Sequence, residues 1–480
     1  MNKNIKTYWP VFLSSVIFFV SVIFNANNAF FWDTVQLGSK HANHYFTTNF
    51  SVLLLPDYID SGHIPAFGAY IAMFWKLFGR SLWVSHIAML PFGFGVIYQL
   101  FKLLHKFISS KYIAIAFILV LIDPSIMSQM LLISPDIVLL FFFLLAVNSV
   151  LDNKKIILSI AIIFLFLTSM RGMMLSVCVL IFDLYNNMLF RKSFKSLFYN
   201  LLRRSVIYIP AFLIFITYSW IHFREKGWIG FHEDSPWSGS FASVGLRGVL
   251  FNIAVLGWRI LDFGRIGIWL VFFILFLKYR KQMFTSDYIK RVAFFFGCLV
   301  IILPLNMLWA KGLLANRYLI PIYLIFSIMC ATILFSDFVN HKLRIILITI
   351  WTTLIISGNF WIYPPKISQG WDATLAHLPY YDLRLKGKEF LDTQGILIED
   401  VASFFPNVAS FDDVDLNGQK ESFAIFDGRN KYVFYSNIYN VSDKEYDDIM
   451  ANYKEIKKFG KNGVFIWIGK RRMSDRTDDF

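Results

Sequence analysis

Eleven apolar segments, all but the short third and fifth close to the length that crosses a bilayer, set the terms on which this chain can fold. They fall at residues 8–24, 82–101, 112–123, 131–151, 156–170, 172–190, 205–222, 262–277, 292–309, 313–335 and 345–362. A span needs roughly 20 mainly apolar residues. Lipid offers a backbone no hydrogen-bond partner, so each segment is predicted to be a helix. Composition agrees: 57% of the residues are hydrophobic, 16% are charged and Phe alone supplies 53. A soluble chain carries nearer 45–50% apolar and about 25% charged residues. The expected fold is an all-α polytopic membrane protein with a small α/β domain at its C-terminus.

Charge orients the spans, because cytoplasmic loops collect Lys and Arg. One set of loops holds Lys3 and Lys6; Lys102, Lys106 and Lys111; Lys154 and Lys155; Arg191, Lys192, Lys195, Arg203 and Arg204; Lys278, Arg280, Lys281, Lys290 and Arg291; Lys342 and Arg344. The alternate loops hold far fewer. The first set is expected in the cytoplasm, with the N-terminus inside and the C-terminus outside. The net charge of +14 is explained by these loops, so no nucleic-acid partner is expected. The first span with Asn25-Ala26-Asn27-Asn28-Ala29 also fits a cleaved signal peptide. A retained anchor is expected instead, because the residues just beyond it carry candidate functional groups. Cys178, Cys298 and Cys330 sit inside apolar runs and read as small buried hydrophobes, not as a disulfide framework or a metal site.

The chain divides at the last span. Residues 1–362 form the bundle, with long polar outer loops at 25–66 and 223–261, and residues 363–480 form a separate outer domain. Residues 66–79 have the pattern of a short amphipathic helix lying on the outer surface. In the tail, strands are predicted at Lys431–Tyr435 and Gly463–Gly469, with a helix at Ser442–Lys457 between them.

Ionisable residues crowd at the outer ends of the spans and almost none sits at mid-span. That places a candidate site at the outer lipid–water boundary. Asp33, just past the first span, is suited to act as a general base on a hydroxyl, or is a loop aspartate in water. Asp136 opens a span in Ser134-Pro135-Asp136, where an acid also suits the helix dipole. Asp123, before Pro124, looks like part of a turn between spans. Arg317 is placed to bind a phosphate through its fork of donors, or to snorkel. Lys311, six residues earlier, is a second cation. His63 and His86 are lone histidines, each readable as a packed ring or as a substrate contact. Zinc spacing, a phosphate-cradling glycine loop and a Ser/His/Asp arrangement are all missing from the sequence.

These pieces together resemble the GT-C class of membrane glycosyltransferases, in the bacterial branch related to protein O-mannosyltransferases and aminoarabinose transferases. Four features carry the resemblance. Asp33 follows the first span. His63-Ile64-Pro65 through Phe78-Gly79-Arg80-Ser81-Leu82 is similar to the family's H-P-P … F-G-x-S stretch. Asp136 opens an early span, and Arg317-Tyr318-x-x-Pro321 is like the family's R-Y-x-x-P before a late one. The sequence departs from the pattern at Ala66, where the family has a second proline, and at His86, where relatives often carry an arginine. No second acid adjoins Asp33 in sequence.

The resemblance implies sugar transfer, with inversion, from a polyprenyl-phosphate donor to a lipid, glycan or protein acceptor. The reaction would take place at the outer face of a bacterial inner membrane. By position, Asp33 would be the base and Asp136 would orient substrate or share that role. Arg317 and Lys311 would bind the donor phosphate, and His63, His86, Tyr318 and Asp123 would line the substrate side. The partners implied are the lipid-linked donor, membrane lipid and the acceptor. No other cofactor is implied, and the need for a divalent metal is left open. The alternative function is transport or flipping of lipid-linked glycans. That would call for polar residues through the bundle core and an internal repeat, and the sequence has neither.

Overall fold

The structure is a computed structural model. It describes residues 3–188, 201–230, 232–235 and 237–472. Arg191, Lys192, Lys195 and the last two residues of the segment 172–190 lie outside the described residues.

Each of the eleven apolar segments contains a helix. In chain order the helices of the bundle and its outer surface are α1 (Lys3–Asn25), α2 (His41–Thr47), α3 (Ala66–Phe78), α4 (Leu82–Ala88), α5 (Leu90–Leu104), α6 (Ile113–Leu121), α7 (Pro124–Leu131), α8 (Pro135–Leu151), α9 (Lys155–Thr168), α10 (Met170–Met188), α11 (Ile209–Lys226), α12 (Leu246–Leu261), α13 (Ile266–Thr285), α14 (Asp287–Ile302), α15 (Ile320–Leu334) and α16 (His341–Ser357). Among the described residues, five helical stretches are long and apolar enough to cross a membrane, and seven if each of two bent pairs counts as one. The chain is a multi-pass membrane protein, but its helices do not individually reach the expected eleven crossings. At a rise of about 1.5 Å per residue, the nine residues of α6 and the 14 of α9 are short for the task.

The core and the lipid-facing rim follow from hydropathy. Every residue of α15 is buried, so this helix is the axis of the bundle. On α1 the apolar side chains face outward instead, with Phe12 at 73% and Phe24 at 84% exposed, as a helix against lipid requires.

The two bends position the site. α6 and α7 meet at 69°, and α12 and α13 at 83°. At the first bend Asp123 caps α7, its carboxylate accepting from Ser125 N at 2.9 Å, and Pro124 takes the first turn, where its missing N–H costs nothing. Asp123 also holds the guanidinium of Arg265, which begins the helix after the second bend, at 2.7 and 2.8 Å. A buried ion pair therefore locks the two breaks together. α8 follows at once, capped by the Ser134 hydroxyl, which accepts from Asp136 N at 3.1 Å.

Beyond α16 comes α17 (Pro379–Thr393), then strands β1 (Val401–Ser403), β2 (Ala424–Ile425) and β3 (Tyr432–Ser436), helix α18 (Asp443–Asn452), and strands β4 (Tyr453–Lys461) and β5 (Val464–Arg471). The sheet order is β2-β1-β3-β5-β4; β1 is parallel to both neighbours, and β5 is antiparallel to β3 and β4. α17 lies against the sheet at Gly387, where a Cβ would stand 2.6 Å from the Phe434 ring. The two predicted strands are present. The helix predicted over Ser442–Lys457 stops at Asn452, and Tyr453–Lys461 is an edge strand. The Ser442–Glu445 capping box starts the helix as expected. Ladder pairing with β5 then outweighs the helix propensity of the Lys- and Glu-rich run. Its exposed charges also protect a sheet edge.

The tail does not hang free of the bundle. Phe31 and Leu132 from the bundle share a hydrophobic cluster with Trp371, Tyr380 and Tyr381. Phe30 N donates to Val414 O at 2.9 Å, and Arg80 pairs with Asp412 at 2.7 Å. A reporter fused after Phe480 is expected outside the membrane. A cytoplasmic signal would overturn the charge-derived orientation.

Candidate active site

Arg317 is the centre of the arrangement. It sits in a tight turn, Asn316–Leu319, that enters α15, with Pro321 in the first turn of that helix. Asn316 anchors the turn by donating to Asp262 at 3.0 Å. The buried guanidinium meets a carboxylate on each of its three nitrogens: Nη2 on Asp33, Nε on Asp136 at 3.0 Å and Nη1 on Asp372. Those acids come from the loop after α1, the first turn of α8 and a turn just beyond α16.

Each acid is held by its backbone. Asp33 follows Trp32, whose φ of +53° is strained for an aromatic residue. Thr34 stabilises this turn, its hydroxyl accepting from Phe31 N and donating to Phe31 O, both at 2.8 Å. Asp136 also meets Arg171, from the start of α10, at 2.5 Å. The main chain of Asp372 is clamped to α7, its carbonyl accepting from Ser128 Oγ and Gln129 Nε2, both at 2.8 Å. Tyr318 lies beside both arginines, with the Arg171 and Arg317 guanidiniums 4.2 and 4.9 Å from its ring centre. Such stacking suits a weakly hydrated cation.

These groups line an open cavity with about 1070 Å³ of unfilled space out to its mouth. Gln129, His41, His63 and Trp237 contribute further wall. Three carboxylates against two guanidiniums leave one surplus negative charge in a largely buried cluster. Burial pushes the His41 ring down to about 4, and its Nε2 lies 2.7 Å from the Ile59 carbonyl. Burial, and then the Arg171 charge, push His63 down to about 4, and its Nδ1 is buried with no hydrogen-bond partner among the described residues. Both rings are therefore neutral and polar at neutral pH. Behind the wall, burial would raise the Asp60 carboxyl, but hydrogen bonds from His222 and Lys226 outweigh it and hold the group below its usual range. Among the described residues no three His, Cys, Asp or Glu side chains are arranged to hold a metal ion.

The structure brings Asp33, Asp136, Arg317, Tyr318 and His63 to one cavity. It does not bring Lys311, His86 or Asp123 there. Lys311 is exposed beside the short bridge of Ser243 and Ala310, its N–H donating to Ala242 O at 2.9 Å, and it does not line the cavity. His86 is buried with its Nε2 3.0 Å from the Asn28 carbonyl. Asp123 is consumed by its cap and by Arg265. Asp372 was missed as a site residue, since it lies in the tail. A signal for it existed: Trp371-Asp372 repeats the dipeptide Trp32-Asp33 beyond the opposite end of the bundle sequence. Arg171 is in sequence one of the few cations in the alternate loops, between the segments 156–170 and 172–190.

The fold and cavity define a class: a multi-pass membrane protein with a charged pocket at the ends of its helices. No protein-family model matches the chain, and no curated protein matches it. Solved structures do. ArnT from Cupriavidus metallidurans in the apo state aligns with a TM-score of 0.51 at 11% identity, covering 76% of this chain and 67% of that one. ArnT from the same organism bound to undecaprenyl phosphate gives 0.48 at 13% identity, covering 81% and 73%. The apo likeness shows a shared fold.

Proposed function

We propose that this protein is a membrane glycosyltransferase that takes a sugar from a polyprenyl-phosphate carrier and places it on a lipid, glycan or protein acceptor. The observation that carries the reading is the convergence of Asp33, Asp136 and Asp372 on Arg317 inside one cavity. ArnT, whose apo fold this chain shares, was also captured with undecaprenyl phosphate, and a carrier of that class suits an arginine site at the edge of a bilayer. The same reading has eleven crossings, residues 1–362 as the catalytic bundle and residues 363–480 as an outer domain. It puts the cavity at the extracytoplasmic face of a bacterial inner membrane.

The reaction is one displacement. Asp33 takes the proton of the acceptor hydroxyl, and that oxygen bonds to the anomeric carbon. The bond from that carbon to the phosphate oxygen breaks, and its electron pair leaves on the phosphate. Attack opposite the leaving group inverts the sugar. Arg317, supported by Arg171, neutralises the charge that builds on the phosphate. Asp136 keeps both arginines in place.

Mass spectrometry of envelope glycans, glycolipids and glycoproteins tests this directly. A deletion strain is expected to lose one sugar from one acceptor, with recovery on complementation. An unchanged profile under conditions where the gene is expressed would overturn the assignment.

A further inference from the structure

Asp372 differs from the other two acids in how it is held. Asp136 is shared between two arginines, and Asp33 is the proposed base. Among the described residues the Asp372 carboxylate is paired with Arg317, at Nη1. Its main chain is fixed independently of that contact. Ser128 and Gln129 hold its carbonyl, and Ser125 Oγ holds the next carbonyl, Ala373 O, at 3.1 Å. The close approach of Gly370 to Asn316, where a Cβ would stand 2.5 Å from Oδ1, fixes the approach to the turn. The turn is therefore held whatever the side chain contacts, and the carboxylate borders the cavity, so leaving Arg317 calls for rotation about the side-chain bonds alone.

We propose that Asp372 is a product-release residue: an internal carboxylate that competes with the carrier phosphate for Arg317. The inference rests on the carrier reading above. It follows from the charge change in the reaction. The donor is a phosphodiester with one negative charge. The product is a phosphomonoester carrying about −1.5 to −2 at neutral pH. The product binds an arginine site more strongly than the donor does, so an enzyme of this kind is exposed to inhibition by its own leaving group. The cluster already holds one negative charge more than its arginines balance. Return of Asp372 to Nη1 raises that repulsion most for the more highly charged product, and so expels it. Asp372 acts through Arg317, which makes it a positioning residue.

The test is the affinity of the purified full-length protein for undecaprenyl phosphate, beside its affinity for a sugar-linked diester of the same carrier. Asp372→Asn keeps the backbone clamp and removes the charge. The variant is expected to bind the monoester on the order of tenfold tighter, to gain much less for the diester, and to stall earlier in transfer as product accumulates. Asp372→Ala provides a second variant with the same expected sign. Unchanged or weaker monoester binding in both variants, with the wild type binding normally, overturns the product-release role alone. Equal tightening for both ligands also overturns it. A wild type that binds neither ligand overturns the carrier reading itself, and this inference with it.

Discussion

Asp33→Asn is expected to abolish sugar transfer, lowering kcat by about 10²–10⁴, while the protein folds and inserts normally. The amide has the shape of the carboxylate and still accepts a hydrogen bond from Arg317, so the turn around Trp32 and Thr34 keeps its support. What is lost is the ability to take a proton. Donor affinity should hold or rise slightly, because the change removes a negative charge from a cluster that has one in surplus. The measurements are transfer kinetics with a defined donor and the melting temperature in detergent. Full activity in this variant would remove Asp33 from the mechanism.

Arg317→Ala is expected to have the larger effect on the molecule as a whole. Three largely buried carboxylates then face the cavity, with Arg171 the remaining cation paired to one of them among the described residues. Breaking a buried pair from one side costs about 3–5 kcal/mol, because the partner charge stays behind. The variant should melt at a clearly lower temperature and lose donor binding. Arg317→Lys should rescue little, since one ammonium cannot reach three acids as a planar fork does. Adding Asp372→Asn to Arg317→Ala should recover part of the lost stability by removing one uncompensated charge, an interaction that a double-mutant cycle resolves. Wild-type stability and donor affinity in Arg317→Ala would contradict the geometry.

Much of this architecture was legible in the sequence, because a bilayer imposes one rule on every residue it touches. Each of the eleven apolar segments contains a helix among the described residues, since lipid leaves a backbone no other option. What hydropathy did not convey was the breaks. Asp123-Pro124 reads as a turn between spans, and becomes a helix cap at a 69° bend only once Arg265 arrives from far along the chain. The same limit applies to the site. Asp33, Asp136 and Arg317 could be picked out because each stands at the end of an apolar run, where a charge is costly and conspicuous. Lys311 met the same condition, but it lies beside the bridge between Ser243 and Ala310 and does not line the cavity. His86 lies one turn inside an apolar run, and its ring is buried against a carbonyl of the loop after α1. Asp372 lies in a polar tail among many acids, where the repeated Trp-Asp dipeptide is its one mark in the sequence. It becomes visible through the hydrogen bonds that α7 makes to its backbone. The tail helix ran too far for a related reason: strand pairing at Tyr453 is a contact between distant segments, and local propensity does not contain it.

Every role assigned to the Arg317 cluster depends on its transferring a sugar from a polyprenyl phosphate, as proposed. The most direct measurement uses purified protein, a polyprenyl-phosphate sugar labelled in the sugar, and an envelope extract from the deletion strain as the source of acceptor. The label is expected to leave the carrier and appear on an acceptor with the wild-type protein, and to remain on the carrier with Asp33→Asn. Label that stays on the carrier with the wild type, or that moves equally with both proteins, would contradict the account.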